Sequence, residues 1–356
     1  MTSDASRKAH IVGLGLIGCS IALALKEHGW QVSGSDTDDN TQQECLQAEL
    51  ISSVVASPDT KLFLVATPAG VVVEVVNELC REFDNPDAVF TDVAGVKESI
   101  VSAIADNRFL GGHPMAGSEL RGLAGARADI FTGCTWVLTP STSTPNDLYT
   151  FLHGTFREIG ANVVAVDGAV HDRLMAVASH VPHLIAGSLM NEASSVASQD
   201  AVLLQLAAGG FRDMTRIAAG DPTIWPDILL DNAKAILQTL EDIEGRLGRI
   251  REAIESADRE SLRAGLSAAS EARRQLPGRA LDSENLSYLR VGLSDQPGSL
   301  AKVTTTASDL LVNIYDIEIA HAVDEAQGTL LLAVDASQAT LLAEALSVIG
   351  FQVGAQ

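Results

Sequence analysis

Two histidines three residues apart, His180 and His183, stand in an otherwise apolar stretch, and Arg212 and Arg216 follow downstream in FRDMTRIA. Imidazoles in an apolar helix followed by guanidinium groups suit a pocket for a small anion, because Arg is the natural bidentate partner of a carboxylate. Taken singly, the histidines are satisfied core residues and the arginines are helix caps; taken as a set, they describe a binding site. A further histidine, His113, is flanked by Gly111, Gly112, Pro114 and Gly117, where a side chain can come close to a bound ligand. An imidazole there can accept the hydroxyl proton as a carbinol carbon gives up hydride, and its ordinary pKa suits that task.

The cofactor for such chemistry is signalled near the N-terminus. HIVGLGLIG, CSIALALKEHG and WQVSGS read as a strand with a glycine turn, a helix, and a second strand. Gly13 permits the tight turn, Gly15 lets the backbone approach a pyrophosphate, and Gly18 lets the helix pack on the strand. Leu16 and Ile17 open the helix, whose first N–H groups are unpaired and suit phosphate. Asp36 closes the second strand at the usual separation of about 20 residues, where a carboxylate accepts from a ribose 2′-hydroxyl and repels a 2′-phosphate. No Lys or Arg intervenes before Lys61. The pattern implies NAD rather than NADP.

The elements that must position these residues continue in the same alternation. KLFLVATPAG and AVFTDVAGVKESIVSAI read as strands leading into helices, FLGGHPMAGSE as a strand with a glycine-rich loop, and TWVLTP and NVVAVD as later strands. In an open α/β sheet ligands bind at the carboxyl ends of the strands. That brings Thr67, Asp92 to Lys97, and His113 to Glu119 around one crevice. From His171 to about Arg274 the pattern is helical. Leu174, Val177, Ala178, Val181, Leu184, Ile185 and Leu189 predict a buried helix, and Pro182 predicts a kink that leaves the carbonyl of Ala178 without its usual partner. Gln275 to Arg279 reads as a linker. The remainder reads β-α-β-β-α with a short last strand at FQV, a ferredoxin-like unit. The fold class is therefore α/β: a Rossmann-type doubly wound domain (1–168), an all-helical substrate and dimerisation domain (169–280), and a ferredoxin-like α+β domain (287–356).

Composition bounds the partners. The chain has 356 residues, 46% hydrophobic and 4% aromatic, with a formal net charge of −22, so nucleic acid and anionic membrane surfaces are poor partners. The N-terminus lacks a signal-peptide pattern, and the run from Leu62 to Val76 falls short of a membrane span. Four scattered cysteines without metal-finger spacing favour a reducing cytoplasm. A metal site on His171, His180 and His183 lacks an obvious carboxylate or thiol beside it.

GLGLIG, GGHPMAGSE, HDRLMAVASHVPH, and FRDMTRIA followed by DPTIW together resemble the prephenate dehydrogenases of tyrosine biosynthesis, carrying a C-terminal ACT regulatory domain. The resemblance runs from residue 9 onward. It implies that His113 is the catalytic histidine engaging the ring hydroxyl and that Glu119 is an acidic gating residue. His183 and Arg216 would hold the substrate carboxylates, with His180 and His171 beside them. Trp225 would be the tryptophan that reaches into a neighbouring subunit, in a homodimer. DQPGSL resembles the ACT glycine turn and implies an aromatic amino-acid effector, tyrosine first. The family reads Asp-x-Gly-Ser-x-Lys where this chain has Asp92-Val93-Ala94-Gly95-Val96-Lys97. The absent serine leaves His113 to be oriented by the Ala94-Gly95 backbone, a water, Thr91 or Ser99. Two other readings stand beside this one: an arogenate dehydrogenase, and a catalytically silent NAD-binding amino-acid sensor.

Cofactor choice should rest on Asp36. NAD+ is expected to be preferred over NADP+ in kcat/KM, with Asp36→Ala narrowing the gap. Equal use of both by the unaltered chain would contradict the 2′-hydroxyl argument.

Overall fold

A computed structural model describes residues 7–117, 120–198, 202–203, 207, 209–275, 286–294, 296, 298–321 and 327–355. The chain forms two compact units, Met1–Arg249 and Ile250–Gln356. The division falls inside a long helix, Ala233–Glu255, and most of the expected linker lies outside the described residues.

The first unit is built on four parallel strands, β1 (Lys8–Val12), β2 (Gln31–Ser35), β3 (Leu62–Val65) and β4 (Val89–Asp92), in the order β2-β1-β3-β4. Val12 pairs with both Ser35 and Val65, and Val65 pairs with Asp92, so the four carboxyl ends finish level. β3 shows why the sheet is covered on both faces. Leu62 and Leu64 pack into one core layer with Ile21, Leu25 and Phe156; Phe63 and Val65 pack into the other with Val72, Val76 and Phe90. A strand buried on both sides needs an unbroken apolar run, which LFLV supplies. Helix α1 (Leu16–Glu27) serves the first layer, and helix α2 (Asp39–Gln47) contributes Cys45 to it. Helix α3 (Ala69–Glu82) and the short α4 (Glu98–Ala103) serve the second.

After α4 the chain makes one parallel bridge beside β4, Phe109 to Phe90, and then changes sheet. Strand β5 (Gly112–Pro114) runs antiparallel to β6 (Thr135–Leu138), and β6 runs parallel to β7 (Asn162–Ala165). His113 is thus not past the end of a strand, as expected, but in the middle of one, opposite Val137.

The helical region begins with α7 (Gly168–Met175) and α8 (Val181–Ala197), the short α5 (Gly122–Gly125) and α6 (Asn146–Glu158) having come before. Between α7 and α8 lies a wide π-type turn, Ala176–His180, in which the Val181 N–H reaches back to the Ala176 carbonyl. The wide turn falls just before Pro182, which has no N–H to give to the helix ladder. The buried-helix expectation is corrected in part. Val181 is buried, but Leu174 and Val177 are 53% and 63% exposed, and Ala178 and Ile185 are exposed too. The bulge breaks the phase of the apolar pattern, and a face of the helix is left uncovered within one chain.

In the second unit, helix Arg259–Arg274 precedes an antiparallel sheet of order β11-β8-β10-β9, comprising β8 (Leu286–Ser294), β9 (Ile314–His321), β10 (Gln327–Asp335) and β11 (Val353–Ala355). Leu289, Val291 and Leu293 alternate along β8, and Leu330, Leu332 and Val334 along β10. Together they bury Val303 and Ala307 of helix Ser299–Asp309 and Leu342 and Leu346 of helix Ala336–Val348. The period-two alternation is that of a sheet with one buried face. No helix among the described residues is long and apolar enough to cross a membrane.

One core histidine makes stability depend on pH. His10 is buried on β1, its Nδ1 2.9 Å from Ser33 Oγ and its Nε2 3.2 Å from Ser35 Oγ. Ser33 Oγ donates to the Ala9 carbonyl, so it accepts from Nδ1–H, and the ring is satisfied neutral. Burial holds its pKa down at about 4. The unfolded chain, titrating near 6.5, then binds the extra proton in the window from 6.5 to 4, so stability falls as pH drops through it. The loss is on the order of 3 kcal/mol when complete. Urea midpoints should fall between pH 7 and pH 5, with a shallower fall in His10→Gln; identical slopes would remove His10 from the account.

Candidate active site

The level edge of the parallel sheet assembles the first half of the site. Gly13 follows β1 with φ +96°, and its N–H is bonded to the Ser35 carbonyl at 2.8 Å. A side chain there would meet the Ala66 carbonyl oxygen at 2.5 Å, and one at Gly18 would meet the Gly13 carbonyl oxygen at 1.9 Å. Both positions are closed to any other residue. Gly15 differs: a Cβ would find nothing within 4 Å, so the exposed backbone is open for a ligand to approach. Gly15 caps α1 without a side-chain acceptor, leaving the N–H groups of Leu16, Ile17 and Gly18 free for an anion. Asp36 clamps the loop from β2. Its Oδ2 accepts from Leu14 N–H at 2.7 Å and its Oδ1 from Asp38 N–H at 3.0 Å, leaving a lone pair on each oxygen. Thr67, just past β3, has a buried hydroxyl without a partner among the described residues. These features fit a dinucleotide.

Asp92 does not join that contact set. It is fully buried, its Oδ2 accepting from Ala94 N–H at 2.9 Å and from Lys97 Nζ, and its Oδ1 from Gly112 N–H at 3.1 Å. A carboxylate so engaged shapes the turn after β4 and ties it to β5. It also neutralises Lys97, which is wholly buried and would otherwise be an unpaired interior charge.

The second half of the site centres on His113. A Cβ at Gly95 would lie 3.7 Å from its Cε1 and 3.8 Å from its Nε2, so that edge of the ring lies against the turn after β4. The other edge points to α7, with Nδ1 2.9 Å from His171 Nε2. His171 Nδ1 is 2.7 Å from Asp172 Oδ1. Asp172 accepts the N–H groups of Lys97 and Glu98, each at 2.8 Å, and so caps α4. Burial, then the neighbouring His171, Lys97 and His180, hold the His113 pKa well below its ordinary value. The ring is therefore neutral at physiological pH, and the ordinary pKa expected from sequence is corrected: burial makes this imidazole a weaker base.

The other predicted residues separate. His180 is buried, its Nδ1 3.0 Å from Asn232 Nδ2, which also donates to the Asp172 carbonyl at 2.7 Å. Burial lowers its pKa to about 4. His183, one turn on, is half-buried and stacks on Trp225 with ring centroids 3.6 Å apart and planes 13° from parallel. Trp225 makes this stack within the same chain. Arg216 is exposed at the start of a 3-10 turn, Arg216–Ala219; Gly220, which follows, lies beside His183 and Trp225. Arg121, past the glycine-rich loop, is paired with Asp221 at 3.0 Å. Glu119 lies outside the described residues. Asp172 and Asn232 were missed from sequence, and His171 was noted without a role. The signal that could have found them is an adjacent His-Asp pair at the start of an otherwise apolar helix.

Fold and site together define an NAD-dependent oxidoreductase of the doubly wound class. Family models described as the nucleotide-binding domain and the dimerization domain of prephenate dehydrogenase match residues 21–165 and 167–268. A prephenate dehydrogenase of Bacillus subtilis is 31% identical over 334 residues, covering 90% of each chain. A cyclohexadienyl dehydrogenase of Zymomonas mobilis is 31% identical over 263 residues, covering 70% of this chain and 88% of its own. Among solved structures, prephenate dehydrogenase from A. aeolicus, in complex with hydroxyphenyl propionate and NAD+, superposes with a TM-score of 0.70 at 27% identity. That match covers 76% of this chain and 98% of that one. Synechocystis arogenate dehydrogenase gives 0.65 at 27%, covering 75% and 99%. The chain belongs to the prephenate dehydrogenase family.

The glycines should part company on mutation. Gly15→Ala should leave the unfolding midpoint nearly unchanged while weakening NAD+ binding about tenfold or more, since only the ligand meets the new methyl. Gly18→Ala should cost about 1–3 kcal/mol of stability, because the loop must move. Calorimetry and NAD+ titration of both variants check this, and equal effects would contradict the assignment.

Proposed function

We propose that the chain catalyses the NAD+-dependent oxidative decarboxylation of prephenate to 4-hydroxyphenylpyruvate, with His113 as the group that engages the ring hydroxyl. The observation that carries this reading is a neutral, buried imidazole set against the cofactor edge of the sheet, with one nitrogen turned inward and the other toward the Gly95 turn. NAD+, when bound, supplies the hydride acceptor. As hydride leaves the carbinol carbon, the hydroxyl shifts its proton toward His113. Loss of the ring carboxylate as CO2 sends the bonding pair into the ring, and the proton returns to oxygen in the phenol. No proton is released overall, so His113 needs only to stabilise a passing charge. His183 and Arg216 are assigned to the substrate carboxylates, with Trp225 closing over His183, and Glu119 is assigned to gating.

Two larger assignments accompany the reaction. A homodimer is supported by the dimerization-domain match and by Leu247, Ile250 and Ile254, spaced three and four apart on helix Ala233–Glu255 and each about half exposed or more. Regulation by an aromatic amino acid, tyrosine first, is supported by the ferredoxin-like arrangement of the second unit and the DQPGSL turn, which together suggest an ACT domain. A cytoplasmic location accords with the scattered free thiols. Arogenate remains the rival substrate, differing by an amine in place of the keto group.

Purified full-length protein should produce NADH and 4-hydroxyphenylpyruvate from prephenate, and more slowly from arogenate. His113→Asn should lower kcat by roughly 10²–10⁴ with NAD+ affinity intact. Arg216→Ala should raise the KM for prephenate, at a cost on the order of 2–5 kcal/mol in kcat/KM. NAD+ binding without turnover of either substrate would favour the sensor reading. Inhibition by tyrosine that is purely competitive with prephenate would place the effector at the active site instead.

A further inference from the structure

We propose that His171 and Asp172 are a positioning pair that fixes the tautomer of His113, leaving its Nε2 unprotonated toward the substrate and compensating the charge it acquires. The inference rests on the reaction proposed above, and its geometry can be followed one atom at a time.

Asp172 is the anchor. Its two oxygens accept the N–H groups of Lys97 and Glu98, donors that cannot change sign, so the side chain is held as an acceptor. The ring nitrogen 2.7 Å from Oδ1, His171 Nδ1, must then be the donor. With a single proton on the ring, His171 carries it there and its Nε2 presents a lone pair. His113 Nδ1, 2.9 Å away, must donate to it. The remaining nitrogen, His113 Nε2, is left with the lone pair and is the one lying beside Gly95 on the cofactor edge. A buried hydrogen-bond chain of this kind leaves little freedom, because with one proton on each ring, reversing a link sets lone pair against lone pair.

The surrounding charges point the same way. Lys97 is spent on Asp92, and His180 accepts a hydrogen bond from Asn232 at Nδ1 rather than donating from that nitrogen to the pair. Asp231, whose carboxyl is held above its ordinary range by burial and by Asp227 and Asp172, adds no cation. Asp172 is thus the anion one ring removed from His113, placed to offset the positive charge that builds there as the substrate hydroxyl shifts its proton. The arrangement supplies what a hydroxyl at position 95 would otherwise supply, but from the opposite side of the ring.

A purely structural role is the alternative, since His171 and Asp172 are buried and Asp172 caps α4. Two His171 variants separate the readings. Phe keeps the ring's bulk and removes the acceptor; Gln keeps an acceptor near Nε2 and loses the ring. Positioning predicts that His171→Phe lowers kcat about a hundredfold, with NAD+ affinity and prephenate KM within threefold, and that His171→Gln recovers at least tenfold of that loss. Packing predicts the reverse order, and that order would overturn the proposal. Should either variant fail to fold, nitrogen-15 NMR of the unaltered, histidine-labelled full chain decides. The His113 ring should carry its proton on Nδ1; a proton on Nε2 would overturn the pair's role whatever the turnover. The Nδ1–H form in a chain that binds NAD+ but leaves prephenate untouched would support the tautomer and overturn the reaction instead.

Discussion

A carboxylate buried away from water is stable only where every lone pair it exposes finds a donor, and Asp172 meets that demand with groups from two parts of the first unit. The backbone of Lys97 and Glu98 belongs to the turn after β4, while His171 belongs to α7. Satisfying Asp172 therefore fixes the helical region against the sheet. Asn232 repeats the device from a second helix, joining the Asp172 carbonyl to His180. The site is held less by apolar contact than by these few obligatory bonds, and the core beneath them is small, with Ala176, Val181 and Ile236 at its centre.

The Asp92–Lys97 pair does the corresponding work on the other side of His113. A carboxylate and an ammonium, both out of solvent, would each be costly alone; together, with Ala94 and Gly112 donating to the carboxylate, they lock the turn that carries Gly95 to the strand that carries His113. The His113 ring is gripped between two buried ionic centres. Its own neutrality follows, because burial and the nearby Lys97 both disfavour a second cation.

What the sequence disclosed and what it hid divide along a physical line. The glycine loop, the place of Asp36 just after β2 and the strand β3 are local: a turn, a spacing and an apolar run determine them, and each was legible. His113 was legible as a histidine among glycines. Its partner was not, because the two are 58 residues apart and meet only through tertiary packing. Ala94, Gly95, Thr91 and Ser99 were sought as orienting groups because they are close in sequence; the bond came from His171 instead. Asp92 was read as ligand-facing from its place at a strand's end, yet a lysine five residues on turns it inward. The exposed faces of Leu174 and Val177 could not be anticipated from periodicity, which reports that a face is apolar and not what covers it.

The wide turn at Ala176–His180 has a consequence for how this segment tolerates change in length. Each residue of an α-helix advances the azimuth by about 100°. A single inserted position therefore acts as an index between two halves of one continuous rod. It lets His171 face the interior hydrogen-bond chain at one end while His183 meets Trp225 at the other. Gain or loss of one residue here rotates everything beyond it onto the wrong bearing. The number of residues in this segment carries information alongside their identity.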